Sequence, residues 1–185
     1  MSDYVKMSLK LFIITALAAL ALGITYAVTK EPIEQQKEQA GIEARRAVLS
    51  DAQQFVAVDI ELYKNEYPGI VEVYEGRAGD TEVGYVFRIL SKGYGGNIEL
   101  YVGLNTSEGK VAGTTIASHS ETPGLGANAA EPEFLSRFYD KPIDKPLAVV
   151  TGDSGKADEV EAITGATITS KAVVDGVNDA ISLYN

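Results

Sequence analysis

Apolar positions follow three different patterns along this chain, and each pattern predicts a different element. Residues 11–29 form an uncharged, mostly apolar run of 19 positions. Between residues 69 and 118, apolar side chains recur at every second position, the period of a half-buried β-strand. Near the C-terminus they recur at helical spacing, as Val173, Val177, Ile181 and Tyr184. The sequence therefore predicts an α+β protein with an apolar helix, a sheet and a closing amphipathic helix.

The uncharged run over residues 11–29 is long enough to cross a membrane. As a helix it spans roughly 28 Å, close to the ~30 Å hydrocarbon core of a bilayer. Small residues around Ala21 also fit a cleaved secretory signal, but the run exceeds the ~7–15 apolar residues typical of a signal core. A retained transmembrane helix is therefore the favoured interpretation.

Charges on either side of the span predict its orientation. Lys6 and Lys10 precede it, whereas acidic residues are interleaved with the basic ones after it. By the positive-inside rule, residues 1–10 lie in the cytoplasm and everything after the span lies outside, so we expect a single-pass protein of the cell (inner) membrane.

The part after the span predicts a linker followed by one domain. Residues 30–68 begin with good helix formers and few apolar residues, which indicates a stalk helix over residues 31–49. Residues 69–185 suit a single compact domain with one core. Short turns between its β-rich runs favour a mostly antiparallel sheet. The expected strands are 71–73, 83–89, 98–104, 111–118 and 147–151, with a short helix over 132–138.

Composition excludes several classes of function. The net charge of −10 argues against a nucleic-acid partner, because phosphate binding needs a basic surface. The sequence has no cysteine, so it can hold no disulfide, thiolate nucleophile or iron–sulfur cluster. With His119 as its one histidine, a zinc or haem site is not expected either. An organic cofactor fits this composition better than a metal.

The segment before the last helix, EAITGATITS over residues 161–170, carries three threonines and a serine. It has two interpretations. In one, Thr169 or Ser170 caps the helix by accepting a hydrogen bond from a first-turn N–H group. In the other, the unpaired N–H groups and the helix dipole bind a phosphate, and a hydroxyl near Gly165 is open to a modifying enzyme.

The same segment resembles a motif of a known family. Thr164-Gly165-Ala166-Thr167, followed by Ile168-Thr169-Ser170, is similar to the S/T-G-A-T segment of the FMN-binding domain family. Its members include the G subunit of Rnf complexes and the C subunit of the sodium-pumping NADH:quinone oxidoreductase. The resemblance implies that a flavin transferase, using FAD and a metal ion, joins the FMN phosphate to Thr167. It also implies cofactor contacts from Thr164, Gly165, Ala166 and Thr169.

Glu161 departs from the motif that the transferase recognises. The family has aspartate six positions before the acceptor, and this chain has glutamate. The carboxylate is kept with one extra methylene of reach, so the resemblance still implies that Glu161 serves in transferase recognition.

Two further segments resemble the family. Residues 119–126, HSETPGLG, are similar to its H-x-E-T-P-G-L-G loop, which lies against the isoalloxazine ring. Taken alone they read as a Pro-Gly turn with a satisfied histidine. The resemblance implies cofactor contacts from His119, Glu121, Thr122, Gly124, Leu125 and Gly126. The turn over residues 93–96, GYGG, resembles a glycine-containing turn of the family, although a loose turn explains it equally well.

Together these features predict an electron-transfer flavoprotein subunit of an Rnf-type complex. The resemblance implies covalent FMN, and electron flow between ferredoxin and NAD coupled to translocation of Na⁺ or H⁺. The subunit needs no catalytic side chains or metal of its own, because the flavin carries the chemistry. The expected partners are the other subunits, the transferase during maturation and the lipid bilayer. The alternatives are the C subunit of the NADH:quinone pump and a flavin-free, membrane-anchored binding or sensor domain.

Overall fold

The computed structural model describes residues 3–152 and 155–185. The chain forms two compact units, one ending at Gly41 and the other comprising Ile42–Asn185. The second unit includes residues 42–68, which were expected from the sequence to belong to the stalk and linker. It contains all the strands of the described part.

The N-terminal helix α1 spans Asp3–Val48, so the predicted transmembrane and stalk helices form one continuous helix. Pro32 lies inside it. A proline removes one backbone N–H from a helix, and the good helix formers that follow let the helix continue here. Within the apolar run, hydroxyls bond to carbonyls of the preceding turn, such as Thr25 to Ala21 at 2.9 Å. These bonds satisfy polar groups inside the apolar segment, as a lipid environment requires.

In the described part of the chain, α1 alone is long and apolar enough to cross a membrane. Its length and composition therefore agree with a membrane span.

Five antiparallel strands form the main sheet in the order in which they occur along the chain. They are β1 (Gln54–Val58), β2 (Ile70–Ala78), β3 (Thr81–Lys92), β4 (Asn97–Asn105) and β5 (Lys110–Ser118). The predicted meander is confirmed for β2 to β5. Strand β1 was not predicted, because its exposed side chains give it no alternating pattern.

One face of the sheet forms the main core. Ile98, Leu100, Val102 and Leu104 of β4 are all buried there, which confirms their predicted alternation. In β2 a register irregularity lies between Ile70 and Glu72, so Ile70 and Val73 enter this core while Val71 is half-buried. A β-bulge of this kind interrupts the two-residue period that predicted Val71 as a core position.

Helix α3 (Thr167–Tyr184) covers this face. Val173, Val177 and Ile181 are buried, as predicted from their spacing. Between β5 and α3 the chain forms 3₁₀ turns at Gly126–Ala130 and Ser136–Phe138 around the short helix α2 (Pro132–Leu135). It then forms strands β6 (Ala148–Val150) and β7 (Glu159–Glu161). These two pair in parallel as a separate small sheet, and β7 leads directly into the segment before α3.

The opposite face of the main sheet packs against the last turn of α1. Val48 and Leu49 are almost fully buried there with Val86 and Tyr101. Arg45 lies over the ring of Tyr74, with its guanidinium carbon 4.2 Å from the ring centroid. Both faces of the sheet are therefore covered near its centre.

Candidate functional site

A cleft of about 460 Å³ opens where the turn before β4, the loop after β5 and the start of α3 meet. Its volume falls within the range of small-molecule sites. Three exposed apolar side chains form part of its wall: Tyr94 is 73% exposed, Ile168 58% and Leu125 45%. The remaining lining residues are Glu121, Thr122, Gly126, Gly165, Ala166, Thr167 and Thr169.

Thr167 is the first residue of α3, and it is exposed at the cleft. The preceding N-cap position is Ala166, which has no side chain able to cap the helix. A hydroxyl therefore stands at the positive end of the helix dipole, where a phosphate group is favoured.

The neighbouring hydroxyls of Thr169 and Ser170 are buried and hold other parts of the structure. Thr169 donates to the Glu121 carboxylate at 2.6 Å. Ser170 Oγ accepts from the Ile163 N–H at 2.9 Å and donates to the Ala166 carbonyl at 3.0 Å. Neither caps the first turn of α3, so the capping interpretation of this segment is wrong. Both residues point toward the core, a feature that the spacing of hydroxyls before a helix does not reveal.

Glu121 is 7% exposed, and its carboxylate holds the cleft together. One oxygen accepts from the Gly95 N–H at 2.9 Å, and the other accepts from the Thr169 hydroxyl. A methyl group on Gly126 would overlap this carboxylate and would lie 2.7 Å from the Thr169 oxygen. This glycine is therefore needed for close packing between the loop and α3.

The structure brings together eight of the residues that the resemblance implied. From the T-G-A-T segment these are Gly165, Ala166, Thr167 and Thr169, and from the loop Glu121, Thr122, Leu125 and Gly126. Tyr94 and Ile168 line the cleft as well and were not among the predicted contacts. Tyr94 belongs to the glycine-rich turn whose role the sequence left undecided, and Ile168 lies inside the motif itself.

Three predicted contacts do not line this cleft in the described part of the chain: His119, Gly124 and Thr164. His119 Nδ1 accepts from the Glu121 N–H at 3.2 Å and so shapes the loop from within. Gly124 has φ +77°, a backbone conformation that favours glycine, with open space where a Cβ would be.

Thr164 and Glu161 line a second cavity, of about 440 Å³, which also lies along the segment before α3. Arg137 and Phe134 contribute to its wall. The Glu161 side chain is 44% exposed there. Among residues 3–152 and 155–185, no group of three or more His, Asp or Glu side chains is arranged to hold a metal ion.

The cleft, the hydroxyl at the helix start and the flanking loop agree with the family found by sequence comparison. The FMN-binding domain model matches residues 93–182, which include every residue that lines the cleft. Fold and site together thus define a protein with an FMN-binding domain. The C subunit of the Na(+)-translocating NADH-quinone reductase from Parabacteroides distasonis shares this fold. That structure has a TM-score of 0.62 and 21% identity, over 82% of this chain and 93% of that one.

Curated relatives define the family more narrowly. The G subunit of the Na(+)-translocating ferredoxin:NAD(+) oxidoreductase complex from Acetobacterium woodii is 39% identical over 97% of this chain and 90% of that protein. The G subunit of the proton-translocating ferredoxin:NAD(+) oxidoreductase complex from Clostridium ljungdahlii is 37% identical over 89% of this chain and 83% of its own length. The chain therefore belongs to the family of G subunits of ion-translocating oxidoreductase complexes.

Proposed function

We propose that this chain is the flavin-carrying electron-transfer subunit of a membrane complex that moves electrons between ferredoxin and NAD and translocates Na⁺ or H⁺. FMN is joined to Thr167 through a phosphoester bond. The observation that carries this proposal is the position of Thr167, whose exposed hydroxyl stands at the start of α3 and at the wall of the cleft. The coupling ion stays open, since one similar relative is named for Na⁺ and another for protons.

The residues of the cleft suit an FMN group. The first turn of α3 supplies N–H groups and a dipole for the phosphate. Leu125, Ile168 and Tyr94 present apolar surface that a flat ring system can cover. Tyr94, Thr167 and Ile168 of the cleft wall are exposed to solvent, as electron exchange with another subunit requires. When bound, FMN supplies one- and two-electron redox chemistry, and the protein supplies attachment and orientation.

Attachment uses the Thr167 hydroxyl as nucleophile. Its oxygen forms a bond to the phosphorus of the FMN half of FAD, the P–O bond to the AMP half breaks, and AMP leaves. The hydroxyl proton passes to a base of the transferase. No electron is gained or lost in this step, so the chain gains the mass of FMN less water.

A pair of threonine variants tests the assignment. Thr167 and Thr164 lie three positions apart, and both are exposed, so an enzyme could reach either of them. After co-expression with a flavin transferase, Thr167→Ala should show no flavin fluorescence on a denaturing gel, whereas Thr164→Ala should keep it. Both should fold, because exposed substitutions change stability by less than about 0.5 kcal/mol. Fluorescence retained in Thr167→Ala would place the flavin elsewhere and refute the proposal.

A flavin-free binding or sensor domain is the competing function, and it predicts that neither variant differs from wild type, because none carries flavin. The C subunit of the NADH:quinone pump shares the fold with this chain, but likeness at 21% identity supports the fold alone. The two G-subunit relatives, at 39% and 37% identity, favour the ferredoxin:NAD complex.

A further inference from the structure

Two cationic side chains bind the outer edge of strand β7. They occupy the backbone positions with which a further strand could pair. Toward β6, the Asp158 carbonyl accepts from the Ala148 N–H at 2.8 Å. Successive carbonyls of a strand point to opposite edges, so those of Glu159 and Glu161 point away from β6.

Each of these outward carbonyls accepts a hydrogen bond from the segment after α2. Lys141 Nζ donates to the Glu159 carbonyl at 2.7 Å. Arg137 Nη1 donates to the Glu161 carbonyl at 2.8 Å. Charge-assisted bonds of this kind are stronger than bonds between neutral groups, so the edge of β7 is well anchored.

Arg137 is itself held in place. Its side chain is 25% exposed, and its guanidinium carbon lies 5.5 Å from the centre of the Phe134 ring. Nη2 lies 3.4 Å from the Glu133 carboxylate, and Nη1 lies 3.9 Å from the carboxylate of Glu161. The guanidinium therefore faces both the backbone and the side chain of the one residue in this segment that departs from the family's transferase motif.

The segment is anchored again just before Thr167. Ser170 Oγ binds the Ile163 N–H and the Ala166 carbonyl, and the Ala166 N–H donates to the Ile163 carbonyl at 2.9 Å. Only the turn of Thr164 and Gly165 lies between these bonds, with Gly165 at φ +78°. The route from Glu161 to Thr167 is therefore fixed at both ends. Upstream it is held by Arg137 and by the Ala162 N–H, which donates to the Val150 carbonyl at 2.8 Å, and downstream it is held by Ser170.

We propose that Arg137 is a positioning residue for flavin attachment. It holds the Glu161 backbone and carboxylate in the arrangement that the flavin transferase binds, and it takes no part in the bond changes at Thr167. This inference rests on the proposed attachment of FMN to Thr167. A segment already fixed in its bound form loses less conformational entropy when an enzyme engages it, and a displaced acceptor reacts slowly.

Lys141 is the matched control. It makes the same kind of bond to the same edge of β7, but to the carbonyl of Glu159, two residues before Glu161. The full-length protein, solubilised in detergent, is incubated with flavin transferase, FAD and Mg²⁺, and kcat/KM for flavin incorporation is measured. We expect Arg137→Met to lower kcat/KM by about ten- to a hundredfold. Lys141→Met should stay close to wild type, because Arg137 and Ser170 still hold the segment. Arg137→Lys should recover part of the loss, since it restores one charged donor.

Thermal unfolding of the same samples separates positioning from general stability. We expect Arg137→Met to take up flavin slowly and to have the same Tm as Lys141→Met. If Arg137→Met does not fold, Arg137→Gln takes its place in the comparison, because its side chain is polar but lacks both the charge and the reach of Nη1. Equal rates for the Arg137 variants and wild type would overturn the inference, and so would equal losses at Arg137 and Lys141.

Glu161→Gln separates the carboxylate from the backbone. It keeps the carbonyl that Arg137 binds and removes only the charge. If kcat/KM falls in Glu161→Gln but not in Arg137→Met, the transferase recognises the carboxylate alone. That result would contradict the role of Arg137. A wild-type chain that takes up no flavin would refute the attachment to Thr167 itself. If wild type is modified and the Arg137 variants are modified equally fast, only the role of Arg137 is refuted.

Discussion

At the scale of single residues, the Glu121 carboxylate connects three segments of the cleft wall. It lies on the loop after β5, it accepts from Gly95 in the turn before β4, and it accepts from Thr169 in the first turn of α3. From the sequence, Glu121 was expected to contact the cofactor, and it lines the cleft. Both of its oxygens also bond to the protein itself, and these bonds set the distance between the three segments.

Glu121→Ala should therefore destabilise the domain. The variant leaves the Thr169 hydroxyl and the Gly95 N–H without their acceptor, and a buried unpaired polar group costs about 1–3 kcal/mol. Denaturant unfolding of the Glu121→Ala protein should report a loss of this size. Thr122→Ala changes an exposed neighbour in the same loop and should stay within about 0.5 kcal/mol of wild type. Equal stability of the two variants would show that the carboxylate does not hold the segments together.

At the scale of elements, local sequence patterns were sufficient to predict the two helices that form α1, the strands β2 to β5 and helix α3. The uncharged run predicted the first part of α1, and apolar periodicity predicted most of the others, such as the alternation through Ile98, Leu100 and Val102. The two motif segments were found because their residues are contiguous. Their meeting in one cleft followed from the family resemblance and not from the pattern of residues.

Features that depend on distant parts of the chain could not be predicted. Strand β7 is three residues long and is defined by its pairing with β6. The roles of Thr169 and Ser170 depend on Glu121 and Ile163, which lie outside the helix that they were expected to cap. Arg137 gave no signal in the sequence, because its partner lies 24 positions away.

Two glycines of the sheet are also explained by contact with an element that is distant in the sequence. Gly103 and Gly113 pair directly across β4 and β5, under the last turn of α1. A methyl group on Gly103 would overlap the Val48 carbonyl, whereas one on Gly113 would lie 3.2 Å from the nearest Val48 atoms. The helix end therefore sits closely on a flat patch of the sheet.

Gly103→Ala should lower the free energy of unfolding by about 1–3 kcal/mol, because the helix end must move away from the sheet. Gly113→Ala should cost less, since its contacts need only a few tenths of an ångström of adjustment. Denaturant unfolding of both proteins measures the difference. Equal losses, or a larger loss at Gly113, would contradict the close approach of Val48 to Gly103.

At the scale of the whole molecule, attachment of FMN requires the flavin domain to face the compartment where the transferase works. The family resemblance implies that this compartment lies outside the cytoplasm, and the lysines before the span predict the same orientation. An alkaline phosphatase fused after Asn185 should be active, because that enzyme functions only outside. An inactive alkaline phosphatase fusion, together with an active cytoplasmic reporter fused at the same position, would contradict the predicted orientation.

The most direct test of the central claim is the intact mass of the full-length protein produced together with a flavin transferase. Attachment at Thr167 predicts a mass equal to the polypeptide plus one FMN less one water, with the added mass on the peptide that contains Thr167. Without the transferase, the mass should be that of the bare polypeptide. A bare polypeptide mass in the presence of an active transferase would contradict the claim that this chain carries covalent FMN.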